Sequence, residues 1–299
     1  MQDGRPSNTA LVAAALRAYH YVTAQEPRVL NDNLAMQLAG MAAPADVIAY
    51  VDNYAARLAA FGERSAADAV VQDVMMCICA RSRFVEDQLE QSRARGMQQL
   101  VILGAGLDAT AYRCANLTQG MQIFEVDYPA TQGWKRERLA AIDVSIPDNL
   151  TFVPFDFEHQ TLAEALTAGG VKTDAMTFFP WLGVQPYLTD NAVMSTLDVL
   201  ARFPPGSELV LDLMTPTDDR QSEGMTAGMR QILADVARIG EPFKSTYAPE
   251  VFTARLQQRG FNHIDIISCH HWFIRHREQF AGRFAANLGP CVLVSAQVA

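Results

Sequence analysis

The sequence predicts an α/β protein built on a doubly wound, seven-stranded, mostly parallel sheet. Three observations predict it. From residue 98 onward, short apolar runs of strand length alternate with patterns of helical period. The first of these runs, LVILGAG (100–106), drops directly into a glycine pair. The preceding 95 residues read as helices throughout.

Each element has a local reason. TALVAAALRAYHYVTAQ (9–25) is alanine-rich, can be capped by Ser7, Asn8 or Thr9, and is stopped by Pro27. NDNLAMQLAG (31–40) predicts a short helix with Gly40 as its stop. A long pattern of charged and apolar faces runs from about Val51 to Arg95, with Gly62 as a candidate break. Strands follow at QQLVILGAG (98–106), QIFEVD (122–127), LTFVPFD (150–156), DAMTFFPWLGV (174–184), SELVLDLM (207–214), HIDIISC (263–269) and CVLVSAQV (291–298). Helical patterns separate most of them: TQGWKRERLAAI, TLAEALTAGG, NAVMSTLDVLARF and PEVFTARLQQRG. No amphipathic helix of normal length divides the last two strands, so an antiparallel pair is expected there. WFIRHREQFAGRF (272–284) reads as a short helix or part of an insertion. Thr215 to Thr246 is longer than an ordinary connection and holds Met225, Met229 and Phe243, which predicts a lid or substrate wall. Two units are therefore expected: a helical amino-terminal cap over 1–95, and a core over 96–299 carrying the lid insertion 215–246.

The 299 residues carry a formal net charge of −9. Nucleic acid and anionic membranes both select basic surfaces, so neither is an expected partner. No apolar stretch approaches the roughly 20 residues of a membrane span. Asp3 and Arg5 cancel ahead of LVAAALRA (11–18), and no signal peptide is expected. Five cysteines, an odd number without a C-x-x-C pair, fit free thiols in the reducing cytoplasm. Cys77 and Cys79 do not share a helix face, so no metal site is expected from them.

Beyond the carboxyl ends of the strands, an open α/β sheet binds ligands at its switch point. Gly104 and Gly106 sit there, where missing Cβ atoms allow positive φ and close backbone approach. Asp127 ends the second strand, where a carboxylate accepts from both hydroxyls of a ribose diol. Two cofactors use this arrangement. GAGLDA fits the dinucleotide pattern G-x-G-x-x-G/A, with Ala109 in the third place. Asp108 argues against it, because a carboxylate at the first helical turn competes with a pyrophosphate and repels it. A sulfonium and an ammonium tolerate that charge, and S-adenosylmethionine carries both without a phosphate. Asp156, closing the third strand, can accept from an adenine amine with Phe155 or Phe157 flanking the ring, or can serve as an N-cap or Asx-turn. A methionine carboxylate then needs a cation, and ICARSRF offers Arg81 or Arg83.

ARSRFVEDQL, LVILGAGLDATAYR, FEVDYP, FVPFDF and FFPWLGVQPYLT, taken together, resemble the leucine carboxyl methyltransferase family. That family is a branch of the class I, Rossmann-like, S-adenosylmethionine-dependent methyltransferases. Its bacterial O-methyltransferase subgroup is the most similar part, and the family also contains a polyketide carboxyl methyltransferase. The resemblance runs from about Thr9 to the carboxyl end. It implies S-adenosylmethionine as cofactor, with the tail-gripping arginine at Arg81, the glycine loop at Gly104, Ala105 and Gly106 followed by Asp108, the ribose acid at Asp127 beside Tyr128, and the adenine-side acid at Asp156 beside Phe157. Family members often carry glutamate in a W-E-G-V-like run; here the run is WLGV, so Leu182 stands at that place. Trp181 and Leu182 are expected near the cofactor. Arg113 also matches and reads as structural, tying the loop helix to the sheet.

The implied activity is O-methyl transfer to a small molecule. A carboxylate acceptor is already ionised at neutral pH, whereas a phenol or alcohol usually needs a general base. Tyr19 and His20, with Tyr21, on the first helix and His270 and His271 after the sixth strand are candidate substrate contacts, with helix packing as the alternative. Met75, Met76, Met225 and Met229 read as core or lid filler. A nicotinamide-dependent oxidoreductase and a non-catalytic cofactor-binding partner protein are the alternative readings.

Overall fold

In the computed structural model, the described residues are 7–60, 63–216, 227–238, 240–276 and 291–299. Gly62, Met225 and positions 277–284 of the expected insertion lie outside them, as does the side chain of Met229. Helices α1 (Asn8–Thr23), α2 (Ala35–Leu38), α3 (Pro44–Ala59) and α4 (Arg64–Ala94) precede the first strand. Then come β1 (Gln99–Leu103), α5 (Thr110–Arg113), α6 (Ala115–Thr118), β2 (Gln122–Asp127), α7 (Pro129–Ala141), β3 (Leu150–Pro154), α8 (Leu162–Ala168) and β4 (Thr177–Trp181). A single 3-10 turn (Gln185–Tyr187) leads into α9 (Asp190–Leu200) and β5 (Glu208–Met214). α10 (Ala227–Arg238), α11 (Pro249–Gln258), β6 (Phe261–Ser268), α12 (Cys269–His276) and β7 (Cys291–Val298) complete the chain.

The seven strands run in the order β3-β2-β1-β4-β5-β7-β6. β7 is antiparallel to both β5 and β6, and every other pairing is parallel. This is the doubly wound sheet the sequence predicts, with its switch point between β1 and β4. Side chains alternate between two apolar layers. Leu100, Ile102, Ile123, Phe178 and Val210 face a core shared with α3, α4 and α12. Val101, Leu103, Phe124, Phe179 and Leu211 face a second core under α8, α9 and α11.

The amino-terminal helices depart from expectation in two places. NDNLAMQLAG yields only the four-residue α2. Asp32 is drawn away by the buried Arg17, Nε to Oδ2 2.8 Å, and also accepts from the Leu34 amide, so residues 31–34 form a turn. The long pattern from Val51 is two helices. α3 already starts at Pro44, whose fixed φ suits the first helical position, and Asp46 accepts from the Ala42 and Ala43 amides. α4, 31 residues long, packs across β4, β5 and β7. No helix among the described residues is long and apolar enough to cross a membrane.

Candidate active site

A cavity of about 1060 Å³ opens at the carboxyl ends of β1, β2, β4 and β5. Its floor is the glycine turn. The Gly104 and Ala105 amides both donate to the Val126 carbonyl, at 2.7 and 3.1 Å, which pins the turn to β2. Gly104 has φ +65°, and a Cβ there would lie 2.2 Å from Val184 Cγ2. The missing side chain makes room for the protein's own valine. Gly106 has φ +50°, and its amide donates to Asp127 Oδ2. The Tyr128 amide donates to Asp127 Oδ1 at 2.5 Å. Each carboxylate oxygen thus keeps one lone pair for a further donor. Burial pushes the Asp127 pKa up, and the Gly106 and Tyr128 amides partly oppose it.

Asp108 accepts from the Thr110 amide at 2.8 Å and so occupies the first turn of α5. Asp156 accepts from the Glu158 amide at 3.0 Å and pairs with His159 at 3.0 Å, the Asx-turn alternative realised at the cavity edge. Burial raises its pKa, but the Glu158 amide and His159 outweigh this, so it lies below the usual carboxylate range. Tyr128 and Phe157 line the same side of the cavity.

Arg81 reaches the cavity from α4 with one arm engaged: Nη1 contacts Asp212 Oδ2 at 2.8 Å. Asp212 Oδ1 accepts from the Gly183 amide at 2.5 Å. A Cβ at Gly183 would lie 2.7 Å from Arg81 Nη2, so the guanidinium rests directly on that glycine. Sequence reasoning missed Asp212. Its signal was an acid inside the buried strand SELVLDLM, where a carboxylate requires a partner.

Several expected positions fall elsewhere. Leu182 lines the cavity, but Trp181, one residue earlier on β4, points into the opposite core and stacks with Phe157 at 6.3 Å. Adjacent strand residues cannot face the same side. Tyr19 and His20 do not line the cavity: Tyr19 packs among the amino-terminal helices, and His20 is buried with Nε2 3.5 Å from the Leu30 amide. His270 and His271 sit on α12, away from the cavity, where His271 meets the Ser268 hydroxyl at 2.9 Å. Arg113 ties the loop helix to the amino-terminal layer through Glu86 and Asp32, where the sheet was expected. The second half of the 215–246 segment does reach the cavity: α10 packs on α3 and α4, and Phe243 meets Tyr187 edge-on at 5.2 Å. Glu241 accepts from the Asn8 and Thr9 amides, both at 3.1 Å, closing that segment onto the start of α1.

Residues 10–201 match the family described as Leucine carboxyl methyltransferase, well over half of the chain. This protein belongs to the leucine carboxyl methyltransferase family. YktD of Bacillus subtilis (strain 168), named as an inferred S-adenosyl-L-methionine-dependent methyltransferase, is 31% identical over 272 residues, which span 87% of this chain and 88% of YktD. A similarly named protein of Mycobacterium avium (strain 104) is 31% identical over 234 residues, 76% of this chain and 70% of its own. Among solved structures, an inferred methyltransferase from Thermobifida fusca YX shares the fold at TM-score 0.59 and 17% identity, covering 99% of this chain and 96% of that one. A DUF574 family protein from Streptomyces avermitilis does so at TM-score 0.59 and 13% identity, covering 95% and 97%. In this family member the glycine turn, Asp127 and Arg81 share one cavity.

Proposed function

We propose that this family member is an S-adenosylmethionine-dependent O-methyltransferase acting on a carboxylate of a small molecule, or on a phenol or hydroxyl in its place. The observation that carries the cofactor is the pair of acids around the glycine turn. Asp127 keeps a lone pair on each oxygen after serving the Gly106 and Tyr128 amides, which suits a ribose diol. Asp108 holds the first helical turn, where a pyrophosphate would need the amides. The cavity is large enough for a nucleoside and an acceptor together. These residues fit the cofactor: Asp127 would hold its sugar, the remaining donors of Arg81 its amino-acid carboxylate, and Asp156 its adenine amine beside Phe157. Gly104, Ala105, Gly106, Asp108, Tyr128 and Leu182 would complete the cradle. When bound, S-adenosylmethionine supplies an electrophilic methyl group on a sulfonium.

The chain's own part is placement and exclusion of water. An ionised acceptor held in line with the methyl group reacts without a base, and a water-poor chamber favours a reaction that annihilates charge. Tyr54 and Tyr187 line the cavity. Burial pushes both phenols up to about 12, so both stay protonated at neutral pH.

Methyl-labelled cofactor incubated with a panel of carboxylic acids and phenols tests this. The expected product is a methyl ester that alkali cleaves. An alkali-stable ether places the acceptor among phenols and overturns the carboxylate. Saturable NADH binding, with none of S-adenosylhomocysteine, overturns the cofactor and restores the oxidoreductase alternative.

A further inference from the structure

Part of the cavity wall belongs to α3. Tyr50, Tyr54, Arg57 and Ala60 recur at helical spacing and all line the cavity. α3 packs on α1, α4 and α10. Tyr54 is buried, and the Arg57 guanidinium lies 5.6 Å from the centre of its ring. Arg57 itself is exposed at the rim.

Charge pairing singles out Arg57. The other basic side chains that line the cavity each meet a carboxylate. Arg17 pairs with Asp32, Arg81 with Asp212, Arg238 with Asp235, Lys244 with Glu158, and His159 with Asp156. Among the described residues, Arg57 is the lining cation without an acid partner. An arginine set on an aromatic face, with its fork free, is a ready anion receptor at a rim whose interior is apolar. Below it, Val74, Cys77, Ile78 and Val85 of α4 give the chamber an apolar body.

We propose that Arg57 recognises an anionic group on the methyl acceptor, distal to the oxygen that is methylated, while Tyr50 and Tyr54 pack against the acceptor's aromatic or alkyl body. This rests on the methyltransferase reading of the same cavity and adds a specificity-determining residue to it. The acceptor class is then an amphipathic organic acid that bears a charge at its outer end.

Isothermal titration of protein saturated with S-adenosylhomocysteine tests it. The probes are 4-hydroxycinnamate, naphthalene-2,6-dicarboxylate and decanedioate, which keep a second oxygen group for the methyl; 4-hydroxycinnamate is compared with its amide and each diacid with its monoamide. At least one acid binds the wild type about tenfold or more tighter than its amide, the scale of a hydrogen bond to a charged group. R57Q brings acid and amide to equal affinity, R57K keeps part of the preference, and S-adenosylhomocysteine binds both variants as it binds the wild type. A merely structural role for Arg57 would weaken acid and amide alike. Equal affinity of every acid and its amide for the wild type, no binding of any probe, or a preference that survives R57Q overturns the anchor. Failure of S-adenosylhomocysteine to bind the wild type overturns the underlying methyltransferase reading instead.

Discussion

The cavity has two unlike walls. One is made by strand ends: the glycine turn after β1, Asp127 after β2, Gly183 after β4 and Asp212 on β5. Its polar atoms are fixed by backbone bonds, such as Gly104 and Ala105 to Val126 and Gly183 to Asp212. The other is made by helix faces from α3, α4 and the segment around α10. Side chains dominate it, and its closure depends on contacts such as Glu241 with α1. The contrast teaches a division of labour. A sheet positions backbone amides to within a hydrogen bond, so its edge suits a constant ligand part. Helix faces exchange side chains at low cost to the fold, so they suit a ligand part recognised by side chains.

If the strand-end wall is the rigid one, damage there should cost most. Gly104→Ala places a Cβ at φ +65° against Val184, and is expected to destabilise by about 2–4 kcal/mol, from overpacking and left-handed strain together. Thermal denaturation measures it, and adding Val184→Ala should recover part of the loss. An unchanged Tm would mean that the turn gives way and the contrast is false. Asp127→Ala leaves the Gly106 and Tyr128 amides without their acceptor and removes the proposed diol partner. Titration with S-adenosylhomocysteine should show a loss of about 1–3 kcal/mol in binding.

The helical wall should respond more gently. Glu241→Gln weakens an anionic cap at the start of α1, worth about 0.3–1 kcal/mol. Stopped-flow measurement should show faster release of S-adenosylhomocysteine with little change in Tm. Asp73, partly buried on α4, tests charge burial behind that wall. Burial raises its pKa to about 6. An acid whose folded pKa is raised stabilises the fold below its unfolded pKa, near 3.8, and loses that contribution as pH rises through about 6. Asp73→Asn should therefore raise Tm at pH 8 and leave it unchanged at pH 4. A rise at both pH values would show that charge is not the cause.

The same two walls differ in how far they could be read in advance. Gly104, Gly106, Asp127 and Asp156 were legible because each ends a strand whose apolar run is local in sequence. Trp181 was misplaced because a one-residue step along β4 changes the face, and the run FFPWLG is apolar on both. His20 and Tyr19 looked like a substrate edge because polar-tipped aromatics serve packing and binding equally well. Arg57 and Tyr54 stayed silent, since a tyrosine and an arginine on a helix have no meaning until the helix has an orientation. Asp212 could have been found from the acid buried in β5, but its partner Arg81 lies 131 positions away.

Local spacing by itself determined the alternation of strands and helices, the turn after β1 and the acids that close β2 and β3. Period and strand ends are short-range properties, set by sterics and by which face must be buried. Only the tertiary structure decided which helix faces enclose the cavity, that Arg81 is shared with Asp212, and that Arg57 faces the chamber with no carboxylate of its own among the described residues. Those pairings come from far-separated residues, and their geometry exists only once the two apolar layers have packed on the sheet.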